Sequence, residues 1–241
     1  MDPTDLIKAA PALAKGAEAL AAAIPFTAIV KRMLGPAADE LAEMWRDQVR
    51  LYRYERQLKC VQKAERMAQE AGFTPQAVPP KILFPLLEGA SFEDNEDLHT
   101  MWAALLVNAA GPDGGSRVRP GFIATLRQLS PDEALLLSYI YDHAPEPATG
   151  QEFDQAVPAS DLLEPYASAG FGEIKRRPDG ILESIECDTW KFGTCLDSLV
   201  SEQVITRRDD LLPAHRSLAA YSLTFRGYEF VTACRPPKPR S

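Results

Sequence analysis

Apolar and polar positions along the chain describe a mainly helical protein whose densest apolar run lies between Val78 and Ala110. Pro79 and Pro80 precede Lys81-Ile82-Leu83-Phe84, and proline suits a first helical turn, where its missing N–H would have no helical partner. Pro85 forbids a regular continuation, so Ile82 to Glu88 is predicted as a short or kinked helix ending at Gly89. Ser91 with Asp94 three residues later has the form of a capping box. Glu93, Asp94, Glu96 and Asp97 crowd the first turns of the helix that follows, where carboxylates favour the positive end. Leu98, Met101, Trp102, Leu105, Leu106 and Ala109 recur at helical spacing until Gly111-Pro112. The pattern predicts a buried helical hairpin, one arm broken and one clean.

Upstream, Leu6, Ala10, Leu13, Ala17, Leu20 and Ile24 form a narrow alanine-rich seam suited to close helix packing. Docking on its own domain is the plain reading. An oligomer contact, or an interfacial or pore-forming membrane helix, also fits. A long helix is predicted from about Ala37 to Ala71, with Leu41, Trp45, Val49, Tyr52, Leu58, Val61 and Ala68 inward and Gly72 as terminator. Arg46, Arg50, Arg53, Arg56, Lys59, Lys63 and Arg66 follow one another every three or four residues on its other faces. A phosphate-binding stripe is the sharp interpretation, and Arg46, Arg50 and Arg53 are its candidate surface residues. Glu43, Asp47, Glu55 and Glu65 sit at pairing distances, so solvated and paired charge is the expected one.

The pattern changes after a short helix through Phe122, Ile123, Leu126 and Leu129. Ser130-Pro131-Asp132-Glu133 starts a helix with an N-cap serine, proline at the first position and glutamate at the third. Its apolar side is Leu135, Leu136, Ile140 and Tyr141, and Pro145-Glu146-Pro147 closes it. Residues 149–188 read as irregular, with a turn at Arg177-Pro178-Asp179-Gly180 and one short helix near Ser160 to Ala167. A helix over Thr189 to Glu202, strands at Val204–Thr206 and Ala220–Thr224, and a final helix from Arg226 complete the chain. Helix, hairpin and Leu223-Thr224-Phe225-Arg226-Gly227 resemble the latter half of a winged-helix domain. The expected fold is therefore mainly α: an N-terminal helical bundle with a long helix and a central hairpin, then a winged-helix-like α+β domain. The expected divisions are an alanine-rich segment at 1–34, a helical domain at 35–129, the winged-helix-like domain at 130–235 and a disordered tail at 236–241.

Composition narrows the functions. The 241 residues are 46% apolar and 25% charged, ordinary for a globular protein, and a net charge of −8 argues against coating nucleic acid or an anionic membrane. In the helix expected to face DNA, Lys191 stands beside Asp197 and Glu202; from the wing, Arg207 and Arg208 are followed at once by Asp209 and Asp210. A protein-contacting or structural wing is thus expected over a DNA reader, with Arg207 and Arg208 as its candidate contact residues. Cys60, Cys187, Cys195 and Cys234 show no CxxC spacing and are expected as reduced cytoplasmic thiols. Asp97 and His99, two apart, point in different directions, so capping is expected there over metal binding. With three histidines and no nucleophile elbow, HExxH or paired-carboxylate motif, no enzyme, cofactor or small-molecule substrate is expected. Met1-Asp2-Pro3 offers no positive n-region, and the uncharged run from Ala19 to Val30 is interrupted by Pro25, so neither a secretory signal nor a stable transmembrane helix is expected.

Two stretches together resemble the abortive infection alpha family of bacterial proteins. One is Gly35-Pro36-Ala37-Ala38-Asp39-Glu40-Leu41 running into Val49-Arg50-Leu51-Tyr52-Arg53. The other runs from Val78-Pro79-Pro80-Lys81 through Leu86-Leu87-Glu88-Gly89-Ala90-Ser91 to Trp102-Ala103-Ala104-Leu105-Leu106-Val107-Asn108-Ala109. Leu129-Ser130-Pro131 and the segment Tyr228 to Cys234 also fit. The resemblance implies a protein acting in defence against bacteriophage and carries over no catalytic residues. The expectation is a non-enzymatic cytoplasmic protein working through a protein partner or self-association. The alternatives are a membrane-acting effector using residues 1–34 and a winged-helix DNA-binding regulator.

Overall fold

The computed structural model describes residues 51–112, 118–143, 156–208 and 219–239. The alanine-rich seam, the first part of the long helix, Pro145-Glu146-Pro147 and most of the loop after Arg208 lie outside them. Helix α1 (Leu51–Glu70) falls within the long helix predicted from the sequence. Gly72 ends it at φ +75°, a backbone that suits glycine, and Phe73 N–H closes the turn onto Ala68 O at 3.1 Å. Leu58, Val61 and Ala68 are buried as expected.

Helix α2 (Pro80–Ala90) does not break at Pro85 but runs on through Gly89. The N–H that Pro85 lacks would have reached the carbonyl of exposed Lys81, which water can serve instead. Gly89 is a packing residue rather than a terminator: a Cβ there would lie 2.3 Å from Trp102 Cη2. The capping box at Ser91 and Asp94 is also not formed. Helix α3 (Glu96–Ala109) is capped by Asn95, whose Oδ1 accepts from Asp97 N–H and Leu98 N–H at 3.0 Å each. Ser91 is buried at the end of α2, where its hydroxyl donates to Glu88 O at 2.7 Å. Helix α3 packs against α1 and α2, and most of its residues from Leu98 to Ala109 are buried.

Helix α4 (Pro120–Gln128) and helix α5 (Pro131–His143) follow. The box predicted at Ser130 forms: Glu133 Oε2 accepts from Ser130 N–H at 2.7 Å, and Ser130 Oγ accepts from Glu133 N–H at 3.4 Å. Ala134, Leu136, Leu137 and Ile140 are the buried side of α5. Strand β1 (Val157–Pro158) leads into α6 (Ala159–Tyr166) and a π-helical turn at Ala167–Phe171. Residues 172–187, read as irregular, form an antiparallel hairpin of β2 (Gly172–Arg176) and β3 (Leu182–Cys187). The turn between them is the one predicted, with Gly180 N–H donating to Arg177 O at 2.8 Å. Helix α7 (Thr189–Ser201), β4 (Ile205–Arg207), β5 (Ala220–Leu223) and α8 (Phe225–Ala233) complete the order. The sheet order is β1-β5-β4, all antiparallel, with the wholly buried β5 in the centre.

One hydrophobic cluster runs from Cys60 on α1 to Cys234 after α8. Phe122 meets Phe230 edge-on at 5.7 Å, and Asn108 Nδ2 donates to Ala233 O and Arg235 O at 2.8 Å each. The start of α8 is clamped to the turn before β4: Thr224 Oγ1 donates to Gln203 O at 2.6 Å and accepts from Gly227 N–H at 2.9 Å. A Cβ at Gly227 would lie 1.8 Å from Val204 O, so any side chain must push backbone apart. Gly227→Ala should therefore cost about 3 kcal/mol of stability, measured by urea unfolding. A loss within a few tenths of a kcal/mol would show that this contact is not tight.

Candidate interaction surfaces

The basic stripe of α1 turns partly inward. Arg56 is 5% exposed and its Nη1 meets Glu96 Oε1 at 2.5 Å, while Lys63 Nζ reaches the other oxygen, Oε2, at 2.8 Å. Arg56 and Lys63 are thus paired across helices, onto the first turn of α3. Arg53 is half-buried: its Nε donates to Ser91 Oγ at 3.2 Å and its guanidinium lies 4.0 Å from the Phe92 ring centre. Lys59 and Arg66 remain exposed. Arg46 and Arg50 lie outside the described residues.

Two histidines are described, and each is bonded to a backbone carbonyl. His99 Nε2–H donates to Arg56 O at 3.0 Å, which leaves Nδ1 as a buried lone pair. Burial, reinforced by Arg56 and Lys63, holds the imidazole down at about 4, although the bond to Arg56 O opposes this. Asp97 is exposed whereas His99 is buried, no cluster of possible metal ligands forms among the described residues, and the cap is Asn95. Hydrogen bonds from Lys63 and Arg56 hold Glu96 at about 2. His143 Nδ1 lies 2.8 Å from Tyr139 O and its ring stacks on Tyr139 at 3.8 Å.

A second ionic cluster joins α5 to α7. Asp132 is 4% exposed and meets Lys191 Nζ at 2.9 Å, Ser130 Oγ at 2.5 Å and Cys195 Sγ at 3.4 Å. Burial pushes its carboxyl up, but hydrogen bonds from Ser130, Lys191 and Cys195 outweigh that and hold it at about 2. Burial first, and Asp132 next, raise the Cys195 thiol to about 12, so it stays protonated and is a poor nucleophile. In the sequence Asp132 reads only as a helix-start residue. Lysine two helices later was the available sign of its partner.

The outward face of α7 carries Trp190, Thr194, Asp197 and Ser201, all exposed. Trp190, at 85%, is the most exposed of the large apolar side chains described. Glu202, just past the helix end, accepts from Thr125 Oγ1 at 3.2 Å. Arg207 is exposed on β4 opposite Tyr221, and Arg208 is half-buried with its N–H donating to Ala220 O at 2.8 Å. These two arginines therefore border the sheet beside α7, on a different part of the molecule from Arg53.

The histidine gives a pH dependence with a definite sign. Its folded value lies below the unfolded 6.5, so the stabilisation is complete above pH 6.5 and is lost as pH falls toward 4. Unfolding free energy should drop by roughly 2 kcal/mol between about pH 7.5 and about pH 5, and His99→Gln should flatten that slope. Glu96 acts in a lower window: its stabilisation is present above 4.5 and is lost toward 2, so Glu96→Gln should leave the His99 slope intact. Equal slopes for wild type and His99→Gln in urea titrations would contradict the assignment.

No curated protein and no solved structure matches the chain. A family model described as abortive infection alpha matches residues 53–234, from Arg53 on α1 to Cys234 just after α8. That span takes in both ionic clusters, the buried helix α3 and the three-stranded sheet, and the chain belongs to the abortive infection alpha family.

Proposed function

We propose that this chain acts in abortive-infection defence against bacteriophage by contacting proteins, a partner or further copies of itself, rather than by catalysing a reaction. Family membership supports the defence role. The observation that carries the mechanism is how the polar groups at the helix seams are used: buried Arg56 and Asp132 pair with exposed Glu96 and Lys191, and buried His99 bonds to backbone. In a winged-helix unit, three helices alternate with a sheet whose last two strands form the wing. The order α5, β1, α6, α7, β4, β5, with strand order β1-β5-β4, supports reading residues 131–233 as such a unit, with β2–β3 inserted before its third helix.

DNA readers of this type place Arg, Lys, Asn or Gln on the third helix to reach base edges. Here that helix presents Trp190, Thr194, Asp197 and Ser201, and Lys191 is tied to Asp132. This favours a protein-facing wing. Among the described residues no helix is long and apolar enough to cross a membrane, and the membrane alternative rests on residues 1–34.

Plating phage on cells carrying the intact chain, a 1–34 deletion, or Arg207→Ala with Arg208→Ala tests the reading. Protection is expected from the intact chain and from the double-alanine variant. A deletion that still protects removes the membrane alternative. Loss of protection in the double-alanine variant, together with duplex DNA binding by the intact chain that weakens steeply with salt, would replace this reading with a DNA-binding one.

A further inference from the structure

The β2–β3 hairpin and the outer face of α7 share an unusual charge balance. Every cation in the region has an ion-pair partner: Lys175 with Glu186, Arg176 with Glu164, Arg177 with Asp179 at 3.9 Å, and Lys191 with Asp132 at 2.9 Å. Among the described residues, Glu173, Glu183 and Asp197 have none. The register sets Glu173 directly opposite Glu186, both exposed, an arrangement of like charges that weakens a two-stranded sheet. Lys175 holds only one of the two.

Apolar surface accompanies this excess. Ile181 and Leu182 at the hairpin tip are 57% and 39% exposed, and Trp190 stands three residues after the end of β3. An exposed tryptophan and carboxylates without an ion-pair partner are the side chains that an apolar and cationic partner would engage, since tryptophan anchors interfaces and acidic rims steer cations onto them. Nucleic acid is disfavoured by the same sign of charge.

We propose that the β2–β3 hairpin and the Trp190 face of α7 form a docking surface for a lysine- or arginine-rich protein segment that also presents apolar side chains. The proposal deepens the protein-contact reading above and rests on it. The cationic groups of the segment lie against Glu173, Glu186 and Asp197, and its apolar groups cover Trp190. Ion pairing relieves the opposed glutamates, so docking also stiffens the hairpin.

Fluorescence anisotropy on the full chain tests this, using a labelled peptide of alternating lysine and leucine, its glutamate–leucine counterpart, its lysine–serine counterpart and labelled duplex DNA. The lysine–leucine peptide alone is expected to bind saturably at moderate salt. Trp190→Ala, and Glu173→Lys with Glu186→Lys, should each weaken it about tenfold or more, while Glu65→Lys on α1 should leave it unchanged. Trp190, Glu173 and Glu186 are exposed and Glu65 is half-buried, and circular dichroism melts check that the variants fold. Equal binding by every variant, equal binding of the lysine–serine peptide, or preference for DNA overturns the proposal. Phage plating with the same variants keeps the two readings apart. Protection by a chain that binds no peptide defeats only the surface, and peptide binding by a chain that never protects defeats only the defence reading.

Discussion

The constraint on which everything else depends is the burial of α3. A helix whose residues from Leu98 to Ala109 are almost all inaccessible has to be covered on every side, and α1, α2, α5 and α8 supply the covering. Trp102 sets the spacing on one side, because its ring occupies the volume a side chain at Gly89 would need. Asn108 sets it at the other end by holding the carbonyls of Ala233 and Arg235. The most exposed part of α3 is its first turn, and there Glu96 collects Arg56 and Lys63. An apolar helix alone would slide along its neighbours; charge at its mouth fixes where it stops.

The same economy governs the second half. Asp132 is buried at the start of α5 and is satisfied by a serine, a thiol and a lysine, the last arriving from α7. Buried ion pairs of this kind add little net stability over apolar packing, because desolvation offsets the attraction. What they add is specificity of register, since removing one partner leaves an uncompensated charge. The clusters therefore explain why the helices sit where they do, and they leave few groups inside the molecule with unusual reactivity. On the proposed reading function falls to the outside, where hairpin and α7 place aromatic and acidic side chains in water.

Much of this was legible in the chain, and the misses have physical causes. The box at Ser130 was readable because proline, serine and glutamate act locally and agree with one another. Ser91 carried a similar signature, yet its hydroxyl turned back to Glu88 O and toward Arg53, and Asn95 took the cap. Pro85 read as a break because proline costs one hydrogen bond, but in a helix of eleven residues with an exposed carbonyl partner that loss is small. The hairpin at 172–187 was invisible because both its faces are largely exposed, so no alternation of apolar and polar residues marks it. Of the basic stripe, Arg56 and Lys63 are paired, but with a partner on another helix rather than one along their own. Glu96 lies forty residues from Arg56, and no spacing rule reaches that far.

The central claim is that the buried charges hold helices and perform no reaction. It is tested most directly by replacing Asp132 with Asn and Lys191 with Met together and measuring phage protection at a temperature where circular dichroism shows the variant folded. Protection equal to the parent is the predicted result, because Trp190, Glu173, Glu186 and Asp197 are unaltered and only the Asp132–Lys191 clamp is neutralised. A folded variant that no longer protects would contradict the account and return Asp132 and Lys191 to the chemistry of the protein.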